Sequence, residues 1–112
     1  MQPLINDATT AILRAIRLNF LNFQNLRFEE IRSRSWASAT FSGARHELTL
    51  LLEGDGAAEA ANAFVHGLEA AEFTLRGHIM ADIGVVADER GAALGGAPQV
   101  RLRIEALTVE EG

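Results

Sequence analysis

Cysteine is absent from the 112 residues, which removes disulfides, a thiolate nucleophile and any cysteine-based zinc site, and leaves the redox compartment open. Lysine is absent too, so all 10 basic residues are arginines. Arginine favours bidentate pairing with carboxylates, on the same chain or a neighbouring one. Against them stand 15 acidic residues, for a net charge of −5. That balance argues against a broad basic surface that grips nucleic acid by releasing counterions from phosphates. No apolar run approaches the roughly 20 residues that cross a bilayer. The first residues lack the early basic charge and small-residue cleavage site of a secretory signal, so synthesis and folding in the cytoplasm is the expectation. There is no Gly-x-x-x-x-Gly-Lys-Ser/Thr, which excludes a Walker-type phosphate loop.

What is present suits one α+β domain over 1–112. The hydrophobic fraction is 48% and the charged fraction 22%, enough to build a single core and too little charge for wholesale disorder. The organising stretch is 43–53. His46, Leu48, Leu50 and Leu52 alternate on one face of a strand, with Glu47, Thr49 and Glu53 on the other. Leu51 interrupts the polar side, so that face should be partly covered as well. The following Gly54-Asp55-Gly56 offers Asp55 as a side-chain cap for a second helix.

The remaining elements follow from spacing. Ile5, Ala8, Ile12, Ile16, Phe20 and Phe23 recur every three or four residues and predict an amphipathic helix over 1–23, with Thr10, Arg14 and Arg17 outside. Phe20, Leu21, Phe23 and Phe28 are core residues or a subunit contact. Glu29 to Ser35 reads as a charged connector, and Trp36 to Phe41 as a strand pairing with the central one. Ala57, Ala60, Ala61, Phe64, Val65 and Leu68 form the stripe of a helix over about 56–68. Phe73 to Leu75 is a short extended piece. From His78 to Asp88 the alternation puts Ile79, Ala81, Ile83, Val85 and Ala87 together, opposite His78, Met80 and Asp82. A closing strand over about 99–109 turns Val100, Leu102, Ile104 and Ala106 inward and Arg101, Arg103 and Glu105 outward. Residues 89–98 between these strands read as a long, glycine-rich, mobile loop. The expected architecture is α+β, in the order α-β-β-α-β-β, with a small antiparallel or mixed sheet of four to five strands and two helices packed on one face.

Chemistry-bearing patterns are sparse. His46, His66 and His78 with Glu47 or Asp82 have no recognised metal-ligand spacing. Ser42, His46 and Asp82 supply the residue types of a triad without a nucleophile elbow. His46 is expected at a sheet margin, satisfied by a hydrogen bond or water. Arg101, Arg103 and Glu105 form a solvated or inter-subunit salt-bridging stripe, with carboxylates cancelling much of the arginine field. No catalytic residue, cofactor or metal is expected, and the chain does not read as an enzyme.

One resemblance runs through these elements. Ser35-Trp36, Gly43 to Leu50 with its Gly-x-x-His-x-Leu-x-Leu order, and Gly54-Asp55-Gly56 opening an alanine-rich helix resemble the phage tail-completion or tail-terminator family of prophages and gene transfer agents. The likeness continues through Phe73 to Ile79 and closes on Val100 to Thr108, so it covers a family-like core of 35–109 beyond an N-terminal helix and connector at 1–30. It departs from the family at Asn22 to Arg34, which holds no proline. The resemblance implies a structural protein that caps the tail tube as a ring, commonly a hexamer, and joins it to the head. The implied partners are tail-tube and head-completion proteins. Neither a membrane nor sequence-specific nucleic acid is among them, although DNA passes through the ring. Its site would be assembled in the virion tail from Trp36, Arg45, Arg90, Gly91, Leu94, Gly95, Gly96, Arg101 and Arg103 as subunit or tail interface. The alternatives are a cytosolic homodimeric adaptor and a small-molecule-binding domain with its pocket between helices and sheet.

Overall fold

In a computed structural model the chain is described over residues 4–19, 26–73, 75 and 77–111. The order is α1 (Leu4–Asn19), β1 (Leu26–Ala37), β2 (Ser42–Glu53), α2 (Ala57–Ala70), β3 (His78–Ala92) and β4 (Pro98–Glu110). The strands form one four-stranded antiparallel sheet in the order β1-β2-β4-β3. β2 and β4 are central because each carries an unbroken apolar alternation that needs cover. Leu48, Leu50 and Leu52 of β2 and Val100, Leu102, Ile104 and Ala106 of β4 are buried on the same face. Ile12 and Ile16 of α1 and Ala57, Ala61, Phe64 and Leu68 of α2 close over them in one cluster. Alanines on α2 let its axis approach the sheet. Each large aliphatic side chain sequestered there contributes about 1.5–3 kcal/mol.

α1 buries Ala8, Ile12 and Ile16 and exposes Thr10, Arg14 and Arg17, as its spacing predicts. Phe20, Leu21 and Phe23 lie outside the described residues. Phe28 packs against the core, with the Arg17 guanidinium 5.5 Å from its ring centroid.

Five expectations are corrected. Glu29 to Ser35 is strand, the middle of β1, and not a connector. As an edge strand with one uncovered face, β1 can carry charge while its backbone pairs with β2. Trp36 to Phe41 is therefore a strand end and a turn: Ser38 N–H donates to the Phe41 carbonyl at 2.7 Å, and Ser38 Oγ accepts from Phe41 N–H at 3.0 Å. Asp55 does not cap α2. The cap is Gly56 at φ 85°, with no side-chain bond to the first turn. Asp55→Ala should accordingly leave unfolding free energy within about 0.5 kcal/mol of the parent in urea titrations, where loss of a true cap costs about 1 kcal/mol.

The strand at 78–88 does not keep one alternation. Bulges between Met80 and Asp82 and between Val85 and Ala87 each add a residue. Met80, Ile83 and Val85 consequently pack on the core, while Ile79 is 53% exposed. Residues 89–98 are mostly ladder. Gly91 pairs with Gln99 and Ala92 with Pro98, leaving a short turn closed by Ala93 N–H to Ala97 O at 2.7 Å. Gly95 and Gly96 sit at φ 95° and 87° there, a conformation that favours glycine.

Candidate functional site

Among the described residues no helix covers the second face of the sheet, so its side chains decide what the molecule presents there. Register places them in rows across β1, β2, β4 and β3. Nearest the β3–β4 turn is Arg27, Leu51, Arg101, Glu89, followed by Glu30, Thr49, Arg103, Ala87 and then Arg32, Glu47, Glu105, Gly84. At the far end come Arg34, Arg45, Leu107, Asp82 and finally Trp36, Gly43, Val109, Ile79. Leu51, the apolar residue that interrupts this face, is 2% exposed although no described helix lies over it.

The rows from the turn end to the middle are cross-linked by charge. Arg101 donates to both Glu29 carboxylate oxygens, at 2.7 and 3.3 Å, which holds Glu29 below its ordinary pKa and raises that of Arg101. Arg27 pairs with Glu53 at 2.9 Å, and Arg32 pairs with Glu30. These groups border a shallow open depression of about 700 Å³ lined by Glu29, Glu30, Arg32, Glu47, Arg101 and Arg103. These exposed pairs neutralise much of the charge on this part of the face.

The sequence-predicted interface residues separate into three places. Trp36, Arg45, Arg101 and Arg103 share the open face, with Trp36 and Arg45 at its far end. Leu94, Gly95 and Gly96 form the β3–β4 turn at the opposite end, where Leu94 is fully exposed at 104%, and Gly91 lies in the ladder beside it. Arg90 belongs to neither group. It points to the helix face, donating to Asn62 of α2 at 2.7 Å and to Asp88 at 3.0 Å, and the Asp88 bond raises its pKa. The second bulge of β3 turns it there.

The histidines are disposed differently from expectation. His46 lies within central β2, not at a margin, and is 0% exposed. Its Nε2 is 2.9 Å from Thr108 Oγ1, which donates to the Ala44 carbonyl at 3.4 Å. Nε2 is therefore the protonated nitrogen, and Nδ1 accepts from Ser33 Oγ at 2.8 Å, with Thr9 of α1 at 2.7 Å from that oxygen. Burial, then the neighbouring His78, lowers the His46 pKa from 6.5 to about 4. His78 is buried at the start of β3, whereas the bulge after Met80 sends Asp82 to the open face and Ser42 donates to Glu110 at 2.7 Å. The Ser42, His46, Asp82 combination is not assembled. Among the described residues no cluster of three His, Asp or Glu side chains could hold a metal ion. Sequence reading missed Thr9, Ser33 and Thr108 as His46 partners, and missed Arg34. Its alternation with Arg32 and Trp36 was the available signal.

No protein-family model and no curated protein matches the chain. A solved structure with this arrangement of helices and strands is a chain from the "Virion of native gene transfer agent (GTA) particle", with a TM-score of 0.70 and 12% identity over 91% of this chain and 97% of that one. The fold is shared with a gene transfer agent virion chain. The likeness to the gene transfer agent chain spans nearly the whole of both, so it concerns the full order of elements and not one hairpin. No described helix is long and apolar enough to cross a membrane.

Proposed function

We propose that this chain is a structural component of a phage-like particle, the ring-forming tail terminator that caps the tail tube and joins it to the head. The observation that carries this reading is the near end-to-end fold likeness to a gene transfer agent virion chain, together with the tail-terminator pattern at 35–109. The uncovered charged face fits a subunit whose partners are other protein surfaces, and the role is non-catalytic. Arginine–carboxylate pairs such as Arg101–Glu29 are readily exchanged for equivalent pairs with a neighbour. A chain of net charge −5 also suits a lumen that lets DNA pass without gripping it. Partners are further copies of the chain, the tail-tube protein and head-completion proteins, and the protein resides in the particle tail after cytoplasmic synthesis.

The test is solution mass by light scattering across concentration, with and without the tail-tube protein encoded nearby. A closed ring, alone or on addition of the tube protein, is the expected result. A fixed dimer indifferent to any tail component would sink the reading in favour of an adaptor.

A further inference from the structure

The two ends of the sheet are unlike each other and complementary. At the far end, the open face carries Trp36, Val109 and the 53% exposed Ile79 in one row, beside the exposed Phe41 turn. Next to that row Arg34 faces Arg45 directly across β1 and β2. Neither arginine has an ion-pair partner among the described residues, and like charges set opposite in an antiparallel pair repel. The Trp36 indole N–H is shut off from solvent and bonds nothing, although buried tryptophan N–H groups usually find an acceptor.

At the other end the β3–β4 turn lifts Leu94 wholly into solvent. The exposed Asp55 lies beside that turn, because Gly54 N–H donates to the Pro98 carbonyl at 2.8 Å. Glu89 lies in the adjoining ladder. This end is therefore an apolar knob beside the exposed Asp55, and the far end is an apolar shelf beside two arginines that make no ion pair among the described residues, with Glu47 the nearest carboxylate of their depression.

We infer that the two ends bind each other between successive copies of this chain: Leu94 of one copy seats on the Trp36, Ile79 and Val109 row of the next, and Asp55 lies against Arg34 and Arg45. The occupant of the shelf is a second copy, since the same chain supplies both the knob and the charge the shelf lacks. Carbonyls of the glycine turn give the indole N–H an acceptor when the ring rotates toward them. The contact is heterologous, joining two different patches, so repetition closes a ring or runs on as a filament. The inference rests on the ring reading above and specifies its contact.

Leu94→Asp and Arg45→Glu alter only exposed side chains, and both variants should melt like the parent. Under conditions that assemble the parent, each variant alone should remain monomeric, because every possible contact contains the damaged end. Mixed in equal amounts they should form a heterodimer and nothing larger, since one intact knob meets one intact shelf. Asp55→Arg combined with Arg45→Glu should restore at least tenfold of the lost affinity. Rings of parental mass from both single variants would overturn this contact while leaving the ring reading standing. A mixture that stays monomeric would overturn it as well. A parent that never self-associates, with or without tube protein, would overturn both.

Discussion

Gly43→Ala is expected to destabilise the protein by about 3 kcal/mol, at the upper end of what overpacking a tight site costs. Gly43 stands opposite Trp36 on β1 and Val109 on β4. A β-carbon there would lie 1.9 Å from the Thr108 carbonyl oxygen, 2.9 Å from its carbon and 3.0 Å from the Val109 α-carbon. All three are backbone atoms of a central strand, so no side chain can swing aside. Relief requires β2 and β4 to part, which costs ladder hydrogen bonds where the sheet carries Thr108 and the Trp36 row. Gly91→Ala is the control: nothing lies within 4 Å of its β-carbon position, and its φ is not positive. Its stability should stay within about 0.5 kcal/mol of the parent. Urea unfolding followed by circular dichroism measures both. Equal stability of the two variants would show that the strands at Gly43 are less closely held than these distances require. Because Trp36 faces Gly43, the same substitution should also impair assembly.

The sequence made the core legible and the edges obscure, for a physical reason. Leu48, Leu50 and Leu52, and Val100 through Ala106, alternate without interruption because both strands are flanked on each side and covered by helices. The α+β class, the element order and the helix-covered face follow from that alternation and from the stripes of α1 and α2. β1 has no such signal. It is half covered by α1 and open on its other face, so Glu29, Glu30, Arg32 and Arg34 are tolerated, and the bulge at Glu29 breaks the period. In β3 two bulges reset the alternation, which is why Ile79 turned out exposed and Arg90 turned toward α2. The partners of His46 left no local trace, being 13, 37 and 62 residues away along the chain. Trp36 and Arg45 could be placed on strands from the alternation around them, but Arg34 was hidden in what read as a connector. The pairing of opposite ends needed the register.

Lowering the pH from 7 to 4 should remove about 3 kcal/mol of stability through His46 alone. In the folded chain its pKa is lowered to about 4 by burial and by His78, against about 6.5 in the unfolded chain. Between those values the unfolded state binds a proton that the folded state refuses. Stability is thus fully present above about pH 6.5, falls as the pH drops toward 4, and is flat in this contribution below it. Each unit of the gap is worth about 1.4 kcal/mol, which sets the total. The structure explains the refusal. Nε2–H already donates to Thr108, and Nδ1 is occupied as an acceptor from Ser33, so a second ring proton would face a hydroxyl that must then reverse its own bonding to Thr9. Carboxylates such as Glu29 also lose stability over this range, hence the informative quantity is the difference from His46→Gln. That variant should be less stable at pH 8, through hydroxyls left without partners, yet should lack the component between pH 6.5 and 4. Parallel curves for parent and variant would mean that His46 does not carry the dependence. Because Thr9, Ser33 and Thr108 belong to α1, β1 and β4, protonation loosens the attachment of the helix to the sheet, and the protection factors of α1 amides, corrected for the intrinsic slowing of exchange in acid, should fall first as the pH drops.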